Sequence, residues 1–136
     1  MNENQNILEL CRYRIRQADE AISESALLMN AGHYRGAINR AYYAMFYATQ
    51  VLIVLDGVKI RKHSGVLSYF DREFVKTGRI DRTFSKWLHR LFDLRQDADY
   101  GDMYEPTKEQ CEQALENARE FVERIQIEFE TRWKDH

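Results

Sequence analysis

Apolar residues recur at helical spacing along nearly the whole chain, and the stretches that keep this period predict five helices. The first runs from about Ile7 to Met29, with Ile7, Leu8, Cys11, Ile15, Ala18, Ile22, Ala26 and Met29 on one face and charged residues on the other. The second, Tyr34 to Leu55, departs from this two-faced pattern. Its last fifteen residues, Ala41 to Leu55, carry no charge, so the helix must be buried on most sides. A membrane span needs ~20 apolar residues and this run includes Thr49 and Gln50, so the expectation is the central helix of a bundle. Ala37, Ala41, Ala44 and Ala48 along it predict a neighbouring helix at close range. The third helix starts near His63 or Ser64 and ends near Lys76, with Val66, Leu67, Phe70 and Phe74 inward. The fourth, about Arg82 to Ala98, aligns Phe84, Trp87, Leu88, Leu91, Leu94 and Ala98. A loop from Asp99 to Pro106 leads to the fifth, which runs from Thr107 to about Trp133 through Ala114, Leu115, Ala118, Phe121, Val122, Ile125 and Phe129. Thr107 and Gln110 fit a capping box at its start. Gly32, Gly57, Gly78 and Gly101 each follow an apolar stretch, where a helix C-cap takes left-handed backbone.

Composition agrees with this pattern. The 136 residues suit one domain, residues 1–136, and a single Pro with six Gly provides too few turn formers for a sandwich or barrel. The fold class expected is all-α, an up-and-down bundle of about five helices. Cys11 and Cys111 belong to no CxxC or Cys/His cluster, which predicts free thiols in a reducing cytoplasm. The polar start MNENQN lacks the basic and apolar regions of an export signal. No cofactor, metal site or membrane association is expected, and no GxSxG or phosphate-binding loop occurs.

The net charge of −2 conceals a division. Lys59 to Arg95 holds ten basic and four acidic residues, a net of +6, and Gln96 to His136 holds five basic and twelve acidic, a net of −7. A basic middle can meet phosphate groups; the simpler expectation is that it packs beside the acidic last helix of its own fold or of a partner subunit.

Two clusters carry candidate chemistry. Arg95 lies four residues after Leu91 and seven after Leu88, so the period that buries the leucines turns a guanidinium inward, where it needs a partner. Asp99, one turn on, is placed to pair with it. On the second helix Arg40, Tyr43 and Tyr47 share a face, with Tyr42 beside them. Buried tyrosine hydroxyls need partners, so a polar pocket is expected there, with Arg40 holding a phosphate or Asp99 itself. His63 stands at the third helix's start, beside Ser64 and Gly65, as a cap or surface group.

The segments Asn39-Arg40-Ala41-Tyr42-Tyr43-Ala44, His63-Ser64-Gly65 and Arg95-Gln96-Asp97-Ala98-Asp99-Tyr100, in this order and separation, resemble the HEPN domain (higher eukaryotes and prokaryotes nucleotide-binding). The resemblance implies a helical bundle, usually a homodimer, often encoded beside a minimal nucleotidyltransferase as a toxin and antitoxin pair. It implies nucleotide or RNA binding by Arg40, Tyr43, Tyr47 and Arg95. Catalytic members are metal-independent ribonucleases with an Arg and, a few residues later, a His. Arg95 matches the Arg; the His has no counterpart, and Tyr100 occupies its slot. The candidate catalytic set is therefore Arg95, Asp99, Tyr100 and His63, with His63 swinging into the cleft or Asp99 acting as base after burial. In family members whose motif-region tyrosine is adenylylated, the matching slot holds Asp102 here, which leaves Tyr100 and Tyr104 as nearby candidates. Trp87, Phe92 and Tyr104, apolar beyond the needs of five helices, support the dimer expectation.

Overall fold

The structure, a computed structural model, describes residues 2–101 and 103–134. It contains five α-helices: α1 Glu3–Asn30, α2 Tyr34–Leu55, α3 His63–Phe70, α4 Arg82–Tyr100 and α5 Lys108–Lys134. No strand occurs among the described residues. The all-α class therefore holds, and so does the left-handed C-cap at Gly32, Gly57 and Gly78, with changes at the element ends.

Local chemistry explains most boundaries. Asn2 and Gln5 form a reciprocal capping box that starts α1 four residues before the expected Ile7. After α1, Gly32 adopts φ +80° and donates to the Met29 carbonyl at 3.0 Å, while His33 donates to Leu28 at 2.8 Å; a left-handed residue satisfies the last carbonyls in this way. Gly57 repeats the device after α2. Thr107 and Gln110 exchange bonds of 2.9 and 3.1 Å at the head of α5. Gly101 departs from the expectation. Its φ is −78°, in extended backbone, because α4 continues through Asp99 and Tyr100 instead of stopping at Ala98. A Cβ at Gly101 would lie 2.5 Å from the Asp97 carbonyl, so this glycine serves a close approach rather than a left-handed turn.

The third helix is also shorter than expected. After Phe70 it widens into a π-helical turn, Asp71–Val75. The wide turn keeps Phe74 fully buried and aims Asp71 at α4, where its carboxylate accepts the Ser85 hydroxyl at 2.5 Å and meets His89 Nε2 at 2.6 Å.

α2 is the hub and touches every other helix. Ala37, Ala41, Ala44 and Ala48 are buried, and the close neighbour is α1, which contributes the equally small Ala18, Ala21 and Ser25. The Ser25 hydroxyl reaches the Ala37 carbonyl at 2.7 Å, and the Cys11 thiol lies 3.8 Å from the Val51 carbonyl, so α1 and α2 run antiparallel. Tyr34 meets Cys111 and Asp56 meets Arg132, which makes α5 parallel to α2. Contacts of Asn39 with Asp99 and Tyr42 with Phe92 make α4 antiparallel to α2. The four long helices thus alternate up and down. The short α3 lies on their flank, its start beside Tyr42 and its end beside Ser85. Cys11 and Cys111 are buried free thiols, and burial pushes them up to about 12 and about 11.

Trp87, Phe92 and Tyr104 turn out to pack partly buried against the core. The large apolar residues left exposed are others, among them Leu10, Tyr13, Leu27, Tyr100, Met103 and Ile127. Among the described residues no helix is long and apolar enough to cross a membrane.

Candidate functional site

Three elements converge on Arg95: the middle of α2, the first residue of α3 and the last turns of α4. Arg95 is 7% exposed, as the leucine period requires. Its Nη1 lies 3.5 Å from Asp99 Oδ2, a long ion pair one turn apart. Its Nε is buried and has no hydrogen-bond partner. Aromatic rings make up the rest of its surroundings, with Cζ 5.1 Å from the Tyr42 ring centre, 5.8 Å from Tyr43 and Phe92, and 6.0 Å from Tyr100. The quadrupoles of these rings favour a cation but offer no acceptor in the guanidinium plane. Arg95 is consequently charged, nearly dry and under-bonded.

Asn39 completes the polar side. Its amide donates to Asp99 Oδ2 at 3.0 Å, and its carbonyl oxygen accepts Arg40 Nε at 3.2 Å. Arg40 does not hold Asp99 itself. It lies 5.0 Å over the Tyr43 ring and pairs with Glu24 of α1 at 3.4 Å, because Asn39, one residue earlier, occupies the carboxylate. Asp99 Oδ2 accepts the Asn39 amide and faces Arg95, so this one oxygen ties the two side chains together. Tyr47 packs 5.7 Å from Tyr43 at the edge of the cluster.

His63 needs no swing, because it already belongs to the cluster. Its Nδ1 lies 2.7 Å from the Tyr42 hydroxyl, and its ring stacks on Phe46 with centres 4.1 Å apart. Burial, and then the charge of Arg95, holds the imidazole below its ordinary pKa. Burial likewise raises the Tyr42 phenol, so the hydroxyl keeps its proton at neutral pH. A neutral imidazole and a permanent cation therefore stand on the same two tyrosines. Tyr100, at the end of α4, is 76% exposed and lies open at the mouth of the site. Tyr104 is half-buried and its hydroxyl faces Gln110 at 3.5 Å, away from this chemistry. Asp102 lies outside the described residues.

Sequence reasoning gave no site role to Asn39 or Phe46 and read Phe92 as a dimer contact. The available signal for Asn39 was its place at the head of the Asn-Arg-Ala-Tyr-Tyr segment; Phe46 reads as ordinary core.

Within the chain α5 does little to neutralise the basic middle, and packing beside the last helix of a partner subunit stays an expectation. Among the described residues one ion pair joins the basic middle to α5, Arg79 with Glu128 at 3.1 Å. Lys59, Arg61 and Lys62, immediately before His63, are exposed, as are Lys76, Arg82, Lys86 and Arg90, and none has a carboxylate within 4.0 Å among the described residues. Geometry explains this: α4 and α5 each pack on α2 and barely on each other. No group of three or more His, Cys, Asp or Glu that could hold a metal ion occurs among the described residues.

Comparison with known proteins covers the part of the chain that holds these residues. The profile of the HEPN domain matches residues 11–128. A UPF0332 protein of Thermotoga maritima is 37% identical over 126 residues, covering 93% of both chains. A Methanocaldococcus jannaschii protein named "Putative toxin MJ0605" is 34% identical over 122 residues, 90% of each chain. A second from that organism, "Putative toxin MJ0142", is 34% identical over 108 residues, covering 79% of this chain and 74% of its own.

Proposed function

The chain belongs to the HEPN-domain family, and from that premise we propose that it is the toxin-like member of a two-protein module whose Arg95 cleft binds RNA or nucleotide phosphate. In this reading it works as a cytoplasmic homodimer with a nucleotidyltransferase-type partner. The observation that carries the binding half is the state of Arg95. A buried guanidinium with an unbonded Nε and one 3.5 Å ion pair costs stability that a phosphate, with several acceptor oxygens, would offset. Tyr43 stands beside Arg95, with Arg40 over its ring and Tyr47 next to it; the exposed Tyr100 ring offers a base a stacking surface, and Lys59, Arg61 and Lys62 provide a basic approach.

A second reading, metal-independent ribonuclease action, is favoured by one observation, the placement of His63. In the tautomer that donates Nδ1–H to Tyr42, Nε2 carries a lone pair and can take the proton of a ribose 2′-OH. The 2′-oxygen then bonds to the adjacent phosphorus, the P–O5′ bond breaks, the departing 5′-oxygen takes a proton from water to leave as a hydroxyl, and the imidazolium returns its proton to solvent. Arg95 stabilises the phosphorane charge. The products are a 2′,3′-cyclic phosphate and a 5′-OH.

The deciding experiment incubates wild type and Arg95→Ala with labelled RNA in EDTA, following both retention and cleavage. Binding by wild type and its loss in the variant supports the cleft; cyclic-phosphate ends made by wild type and not by His63→Ala support catalysis. Equal binding by wild type and Arg95→Ala overturns the reading. Co-purification with the product of a neighbouring nucleotidyltransferase gene tests the module separately.

A further inference from the structure

Resting on the reading that the cleft takes RNA, we propose that the flank between α3 and α4 holds a second phosphate-binding station, so that the ligand is a single strand reaching along α4 from Arg95 to Arg82. The π-helical turn creates it. An open cavity of about 600 Å³ lies where that turn meets α4, lined by Ser68, Asp71, Arg72, Lys76, Arg82 and Ser85, among others. Three of these are cations. The carboxylates nearby are occupied: Asp71 by the Ser85 hydroxyl and His89, Asp81 by capping the Thr83 amide at 2.8 Å, and Glu73 3.9 Å from Arg72 on its own turn. Lys76 and Arg82 have no carboxylate within 4.0 Å among the described residues.

The topology puts this cavity and the Arg95 cluster at the two ends of the same helix pair, α3 and α4. α3 runs alongside α4 in the opposite direction, with His63 beside Tyr42 and Arg95 at one end and Asp71 beside Ser85 and His89 at the other. Thirteen residues separate Arg82 from Arg95, an axial distance of about 20 Å at ~1.5 Å per residue. A stacked single strand places a phosphate every ~3.4 Å, so roughly six phosphates span the two stations. The exposed hydroxyl-bearing Ser64 and Ser68 lie between them on α3. An acidic protein is the rival occupant, but protein-docking surfaces have an apolar centre. The large apolar residues exposed on this chain lie on α1 and α5, at Val58 before α3, and at Tyr100 and Met103 beside the cleft, not along this flank.

The test compares anisotropy of labelled oligouridylates, a trinucleotide and a decanucleotide, over a salt series. The proteins are wild type, the triple variant Arg72→Gln, Lys76→Gln, Arg82→Gln, and a control of equal charge loss on exposed positions elsewhere, Arg12→Gln, Arg16→Gln, Arg119→Gln. These six substitutions are at exposed residues, and circular dichroism checks the fold. Wild type and control are expected to bind the decanucleotide about tenfold or more better than the trinucleotide. The flank variant should lose that advantage, with a log–log salt slope lower by about 2, at ~0.7 per phosphate contact, and unchanged trinucleotide binding. A flank variant that keeps the length advantage overturns the proposal, as does one that binds the decanucleotide normally but loses an acidic protein partner. Arg95→Met separates the two ideas. If it still binds the trinucleotide while the flank variant loses the decanucleotide, the cleft reading fails and the flank station stands.

Discussion

Replacing Arg95 with Met separates a residue kept for a ligand from one kept for the fold. The substitution removes an ion pair one turn apart at 3.5 Å, for which ~0.3–0.5 kcal/mol is typical. It also removes cation–π contact with Tyr42, the nearest ring at 5.1 Å, a contribution of ~0.5–2 kcal/mol. Against these losses stands relief of the unbonded buried Nε, worth ~1–3 kcal/mol, together with part of the guanidinium's desolvation. Asp99 is not stranded, because it retains the Asn39 amide at 3.0 Å and a partly exposed side chain. The two sides nearly cancel, so Arg95→Met should change stability by less than about 1 kcal/mol while abolishing RNA binding. A structural clamp at this position would instead lose ~3–5 kcal/mol, as broken buried pairs do. Urea unfolding followed by circular dichroism distinguishes them. At a slope of ~2 kcal/mol/M the first case moves the midpoint by under about 0.5 M, and the second lowers it by about 1.5 M or more. A fall of that size would refute the reasoning and make Arg95 a fold residue.

Three further outcomes follow from named contacts. His63 is held below its ordinary pKa, so it stays neutral when folded and takes a proton more readily when unfolded; its contribution is full above the unfolded value of ~6.5 and is lost as pH falls from there through the lower folded value. Wild type should therefore lose more urea resistance between pH 7 and pH 5 than His63→Gln, and the His63 Cε1 proton, followed by NMR, should titrate at higher pH in Arg95→Met. Tyr69 donates to Asp56 at 2.5 Å and is pushed up to about 12 by burial and then by that bond and charge, so its stabilisation is full below pH ~10 and is lost as pH rises from 10 to 12. Tyr69→Phe should lose about 1.5–3 kcal/mol at pH 8, the value of a bond to a charged group, and show a shallower alkaline decline in urea midpoints. Thr107→Ala, which opens the capping box of α5, should lower stability by ~1 kcal/mol with RNA binding unchanged.

The helices and the inward Arg95 were legible in one dimension because a helix converts sequence spacing directly into a face. Leu88, Leu91, Arg95 and Asp99 share a stripe whatever surrounds them, and the Asn-Arg-Ala-Tyr-Tyr and Asp-Tyr segments marked the family. The local signals at Thr107, Gly32 and Gly57 were equally readable, since a cap depends on residues three or four apart. What the chain alone left open depends on contacts between distant segments. Apart from the family resemblance that made it a candidate base, His63 reads as a cap or surface group, because nothing nearby in sequence announces that the loop after α2 folds it onto Tyr42, twenty-one residues earlier. Asn39, not Arg40, takes Asp99, a choice made by the rotation of α2 against α4 and invisible in either helix by itself. Most cations of the basic middle stay without a carboxylate partner because α4 and α5 each pack mainly on α2, and the π-helical turn forms where Asp71 can meet Ser85 and His89 while Phe74 stays buried. Periodicity and capping are short-range and belong to the sequence. The company that a buried charge, an imidazole or a row of cations keeps is set by packing, which only the tertiary structure decides.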